Sequence, residues 1–138
     1  MRKWICTLIF SFSSYNLGST FMLKPCLTLT GKNITATVYQ GVTSQTDNEP
    51  TLTAVGVQFD KNAPPNWIAI SPDLLESIPF YSDVYLYGTE IHDGMYKVMD
   101  RTSRRYNNHI DILIPASVRP GDRRYGKWRN ITIYVRKN

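Results

Sequence analysis

Read for the spacing of its apolar residues, this chain alternates with period two over several short stretches. Such alternation predicts strands with one face buried. "NITATVYQGV", 33–42, alternates and is rich in β-branched residues. "TLTAVGVQFD", 51–60, also reads as a strand, with Gly56 as a bulge. "WIAI", 67–70, is short and fully apolar, as a strand covered on both faces would be. "DVYLYG", 83–88, and "GMYKVMD", 94–100, are two further strands, and the "TEIHD" between them suggests a hairpin. "HIDILIP", 109–115, is a buried strand stopped by Pro115. "RNITIYVRK", 129–137, closes the series with Ile131, Ile133 and Val135 on one face. The segments 43–50, 61–66 and 119–126 are rich in Pro, Gly, Asn and Asp and read as loops.

A single stretch breaks this period. "SPDLLESI", 71–78, has Ser71 where an N-cap belongs, Pro72 at the first helical position and Asp73 in the first turn. It predicts one short helix whose Leu74, Leu75 and Ile78 pack on the core. Many short strands and one helix point to a small closed barrel, because closure removes unpaired strand edges. The expected fold class is therefore all-β, a small closed barrel with one short helix, over residues 33–138.

The 138 residues allow one domain with one core. The formal charge is +5. Much of the excess lies in the last third, at Arg101, Arg104, Arg105, Arg119, Arg123, Arg124, Lys127, Arg129, Arg136 and Lys137. That asymmetry suggests an anionic partner, or a basic face kept for solubility. The cysteines, Cys6 and Cys26, form no C-x-x-C and no Cys/His cluster, so no zinc site is expected, and no other cofactor is called for. Residues 1–25 begin with Arg2 and Lys3 and run into an apolar stretch from Trp4 to Phe12. They resemble a secretory signal peptide diluted by serines, with an N-terminal strand or anchor as the other readings. No apolar run reaches the length of a membrane-spanning helix.

From Ile34 to Arg136 the motifs, taken in order, resemble the three-aspartate (3D) domain family. "ATVY" gives Ala36, Thr37 and Tyr39, and "TAVG" gives Thr53 and Gly56. "IAISPDLLESIP" follows, then "KVMD" with Asp100, "HIDIL" with Asp111, and a closing "GKWRNITIYV". A "QTD…P" segment, Gln45–Asp47 and Pro50, is similar to that of family members from Bacteroidetes and their phages. The resemblance implies a six-stranded double-psi β-barrel with one short helix, the fold of a family similar to the catalytic domains of membrane-bound lytic transglycosylase A, rare lipoprotein A and the expansins. The family's first aspartate falls on Ser71 here. Serine still caps a helix but supplies no charge, and Asp73 is the candidate substitute.

The resemblance implies lytic transglycosylase chemistry on peptidoglycan, the β-1,4 bond between N-acetylmuramic acid and N-acetylglucosamine being cut. The muramic acid's own C6 hydroxyl attacks C1 and gives a 1,6-anhydro sugar. One carboxyl donates a proton to the leaving oxygen and then takes one from the C6 hydroxyl. The candidate acid/base is Asp111, whose apolar surroundings favour the neutral form. Asp100 is its partner, Asp73 the third candidate, and His109 either an alternative proton carrier or the group that orients Asp111. Tyr39, Thr53, Ser71, Tyr106, His109 and Trp128 are the candidate substrate-binding residues, and Trp67 reads as core. The bland alternative makes both aspartates strand-end residues paired with Arg101, Arg104 or Arg105.

Two other functions fit the same motifs. One is a non-catalytic, wall-loosening glycan binder, since "HID" is similar to the expansin H-F-D. The other is a structural component of a phage particle with an unidentified envelope or virion partner. A basic, aromatic surface also suits nucleic acid, but no recognised nucleic-acid motif is present, so no specific nucleic-acid partner is expected. The implied location is the cell envelope, the periplasm or outside the cell, or the virion for a phage-encoded chain.

Overall fold

A computed structural model describes residues 27–42 and 49–137. The leader-like segment, both cysteines and the Gln45–Asp47 motif lie outside the described residues. Six strands and one helical turn follow in order: β1 (Leu27–Tyr39), β2 (Trp67–Ile70), α1 (Pro72–Leu75), β3 (Asp83–Tyr87), β4 (Gly94–Arg101), β5 (His109–Leu113) and β6 (Lys127–Arg136). The strands close into a barrel in the order β1-β5-β2-β4-β3-β6. Two neighbours, β1/β5 and β2/β4, run parallel, and the other four pairings are antiparallel. Parallel neighbours need long crossovers, so the chain leaves and re-enters the wall rather than meandering around it.

The interior follows from the two-residue period. Ile34 and Ala36 come from β1, Ile68 and Ile70 from β2, Val84 and Leu86 from β3, Val98 from β4, Ile110 and Ile112 from β5, and Ile131 and Ile133 from β6; all are buried. β-branched side chains stiff at χ1 fill this narrow cylinder with little entropy lost on packing. Residues between these pairs must face out of the barrel. Ala69 and Asp111 are such residues, and Thr37, next after Ala36, faces the same way.

Three expected elements differ. β1 starts at Leu27, six residues before the alternating run, because Gly31 and Asn33 (φ 56) let it bulge against β6 rather than stop. The expected strand over 51–60 is instead a tight reversal held by one bridge, Leu52 to Gln58. Gly56 adopts φ +79, the Thr53 amide donates to Val57 O at 3.0 Å, and the Gly56 amide donates to Thr53 O at 2.9 Å. A left-handed glycine turns the chain back where alternation alone implied extension. The helix spans only Pro72–Leu75, and the Ser71 side chain does not cap it. That hydroxyl instead accepts the His109 amide at 3.0 Å, tying α1 to β5. Ile78 still reaches the core.

The β3–β4 hairpin is clamped by one carboxylate. Asp93 Oδ1 accepts the amides of Gly88, Thr89 and Glu90 and the Thr89 hydroxyl, at 2.8–3.1 Å. Burial would raise the Asp93 carboxyl, but those hydrogen bonds outweigh it and hold it below its ordinary value. Asp73 is lowered in the same way: burial opposes ionisation, and bonds from Ser71 and the Asn108 amide overcome it. Carboxyls depressed on folding contribute stability above their unfolded pKa, about 4, and lose it as pH falls through the folded value. Thermal unfolding followed from pH 7 to pH 2 should show the midpoint falling below about pH 4. Asp93→Asn should lower the midpoint at pH 7 and flatten that acid limb.

Candidate functional site

The register of three strand pairings builds one row across the outer wall. Thr37 on β1 pairs with Asp111 on β5, Asp111 pairs with Ala69 on β2, and Ala69 pairs with Asp100 on β4. Neighbouring strands lie about 4.8 Å apart, so the two aspartates, one either side of Ala69, have Cα atoms roughly 10 Å apart. Ala69 keeps the space between them open because its side chain ends at Cβ.

Asp100 reaches this face through a bulge. Ile68 pairs with Val98 but Ala69 pairs with Asp100, so Met99 is an extra residue on β4. Strict alternation would place Asp100 on the same side as Val98, which is buried in the core. The inserted residue turns the carboxylate outward instead.

All four residues of the row line an open cavity of about 1060 Å³. Its walls come from the β1 end at Tyr39, the 49–54 segment, the end of β4 at Arg101, the following loop with Arg105 and Tyr106, and Tyr125. The cavity therefore lies on the outside of the barrel, over β1, β5, β2 and β4, and not in its lumen.

Each carboxylate is held differently. Asp111 Oδ1 accepts the Thr37 hydroxyl, and His109 Nε2 lies 2.9 Å from both that hydroxyl and Asp111 Oδ1. His109 and Asp111 form an ion pair when the imidazole is protonated. Among the described residues the hydrogen bonds of the Asp111 carboxylate fall on Oδ1. Asp100 Oδ1 accepts the Ala54 amide at 2.9 Å and its neighbour Arg101's amide at 2.8 Å, while Tyr39 donates its phenol to Oδ2 at 3.4 Å. Burial pushes the Tyr39 phenol well above its ordinary value, and the charges of Asp100 and then Asp111 push it further. Tyr39 thus keeps its proton and stands as a hydrogen-bond donor to Asp100.

No model of a known protein family matches the chain, and no curated protein does.

Of the residues singled out from sequence, Asp100, Asp111, Tyr39, Thr53 and Tyr106 line the cavity. His109 sits behind Asp111, its ring stacked on Tyr106 with centroids 4.7 Å apart. Thr53 is buried, and its hydroxyl bonds Val57 across the reversal. Three others stand apart from the lining. Ser71 is fully buried beneath β5. Asp73 accepts the Asn108 amide at 2.9 Å, holding the backbone just before β5. Trp128 meets His92 edge-on at 5.0 Å and packs against the core. Trp67 meets Phe59 edge-on at 6.2 Å. Among the described residues no group of three His, Cys, Asp or Glu is placed to hold a metal ion.

Proposed function

We propose that this protein is a peptidoglycan lytic transglycosylase whose barrel is the double-psi type of the three-aspartate family. The observation that carries the reading is the row of Asp111, Ala69 and Asp100 on the floor of one open cavity. The two parallel strand pairs in the closed wall favour the family resemblance.

In this reading a glycan strand lies along the groove with the scissile oxygen over Asp111. Asp111 donates its proton to the leaving oxygen of the N-acetylglucosamine as the C1–O bond breaks. The muramic acid's C6 hydroxyl attacks C1, and its proton passes to Asp111, restoring the acid. Oδ2 is the working oxygen, because Thr37 and His109 occupy Oδ1. Asp100, anchored by two backbone amides, stabilises the positive charge that develops at C1. Asp73 and Ser71 act from below, by fixing the start of β5.

One observation favours a second reading, a wall-loosening glycan binder. An aspartate ion-paired with an imidazolium has no proton to donate, and His109 lies at ion-pairing distance from Asp111. Incubation with purified sacculi followed by mass spectrometry separates the two. New muropeptides ending in 1,6-anhydro-muramic acid support cleavage. Retention on sacculi with no new products supports the binder.

A further inference from the structure

The cavity divides its charges. Asp100 and Asp111 form the floor, Glu49 lines another part, Arg101 ends β4 and Arg105 comes from the loop after it. Among the described residues neither arginine forms an ion pair. An arginine that lines a cavity without a carboxylate partner is a ready site for an anion, which its guanidinium binds in bidentate fashion.

Arg105 is also tied to the reacting end of the groove. Its guanidinium carbon lies 5.0 Å from the Tyr106 ring centroid, and its Nη2 donates to the Tyr106 hydroxyl at 3.3 Å. Tyr106 stacks on His109, which contacts Asp111 at 2.9 Å. An acid group held by Arg105 therefore stands beside an aromatic face one residue-contact removed from the Asp111 pair.

We propose that Arg101 and Arg105 make this groove selective for glycans whose sugars carry a carboxylate substituent, with Arg105 the principal specificity residue. The inference rests on the cleavage reading only for the position of the sugar over Asp111. A ligand charged all along its backbone, such as a nucleic acid, would set phosphates against Asp100 and Asp111. A neutral pyranose chain bearing acid side groups fits both halves: the ring lies over the acidic floor, and the substituent meets the guanidiniums. The lactyl carboxylate of muramic acid has that chemistry where the strand carries no stem peptide to convert it to an amide, and chitin, otherwise the same β-1,4 backbone, lacks it.

The test uses full-length Asp111→Asn protein, which prevents turnover, and isothermal titration with two tetrasaccharides. One alternates N-acetylglucosamine with N-acetylmuramic acid bearing free lactyl carboxylates, and the other is chitotetraose. The acidic ligand should bind at least about tenfold tighter. Adding Arg105→Ala and Arg101→Ala should bring it to the chitotetraose level and leave chitotetraose unchanged, while Arg105→Lys should retain part of the preference. Equal binding of both ligands, or equal weakening of both by the arginine substitutions, overturns the proposal. Arginine substitutions in the otherwise wild-type protein that leave cleavage and ligand preference intact overturn it too, with the cleavage reading left standing. An arginine-dependent preference in a protein that yields no anhydro products supports it and removes the cleavage reading instead.

Discussion

Asp111→Asn should slow release of anhydro-muropeptides from sacculi by about 10²–10⁴, the usual contribution of a positioned general acid/base. The substitution keeps the side-chain shape and an oxygen to accept the Thr37 hydroxyl, but carries no exchangeable carboxyl proton. The side chain faces the cavity, so no core packing is lost. The asparagine amide oxygen can still accept from both the Thr37 hydroxyl and His109 Nε2, the two partners of Oδ1. Thermal unfolding by circular dichroism should therefore place the variant within a few degrees of the wild type. An aspartate serving only as a strand-end residue would show the opposite balance, with lowered stability and cleavage in proportion to the folded fraction.

The reverse signature is expected one residue along the same strand. Ile112 points inward, is 1% exposed and meets the isoleucine core. Ile112→Ala removes three carbons from a closed barrel whose wall has little freedom to collapse. The expected cost is about 2–5 kcal/mol, or a fall in Tm of roughly 10–25 °C for a domain of this size. Denaturant unfolding with an unchanged slope measures it. Below the new midpoint, cleavage per folded molecule should stay near that of the wild type. Neighbouring positions on β5 thus separate stability from function, because successive side chains of a strand face opposite sides.

That alternation is also why much of the barrel was legible in the sequence. "WIAI" occupies β2 over the expected residues. The paired isoleucines of "HIDIL" and "NITIYV" face inward as their spacing requires. The pattern fails where the backbone departs from period two. At Gly56 a left-handed turn folds an alternating run back on itself, and at Gly31 and Asn33 bulges carry β1 through residues with no alternation. At Met99 an extra residue reverses the faces of β4, so counting by twos from Val98 sends Asp100 into the core. The candidate aspartates came from the motif resemblance and not from periodicity. Ala69 gave no signal, since a methyl group shows its purpose only when the strands on both sides are known. Arg105 pointed toward the aspartates in sequence, but its described contacts are with Tyr106. Trp128 and Ser71 carry suitable chemistry for a site, yet packing against His92 and bonding to β5 employ them elsewhere.

The central claim is that one glycan lies over Thr37, Asp111, Ala69 and Asp100 together. Titrating an isotopically labelled sample with a muramic-acid-containing tetrasaccharide tests it most directly by NMR. The amide signals of these four residues and the carboxyl carbons of both aspartates should move together and saturate at one ligand concentration, with Trp128 and Asp73 unmoved. Shifts that leave the four unperturbed, or that gather around only one of the two aspartates, would contradict it.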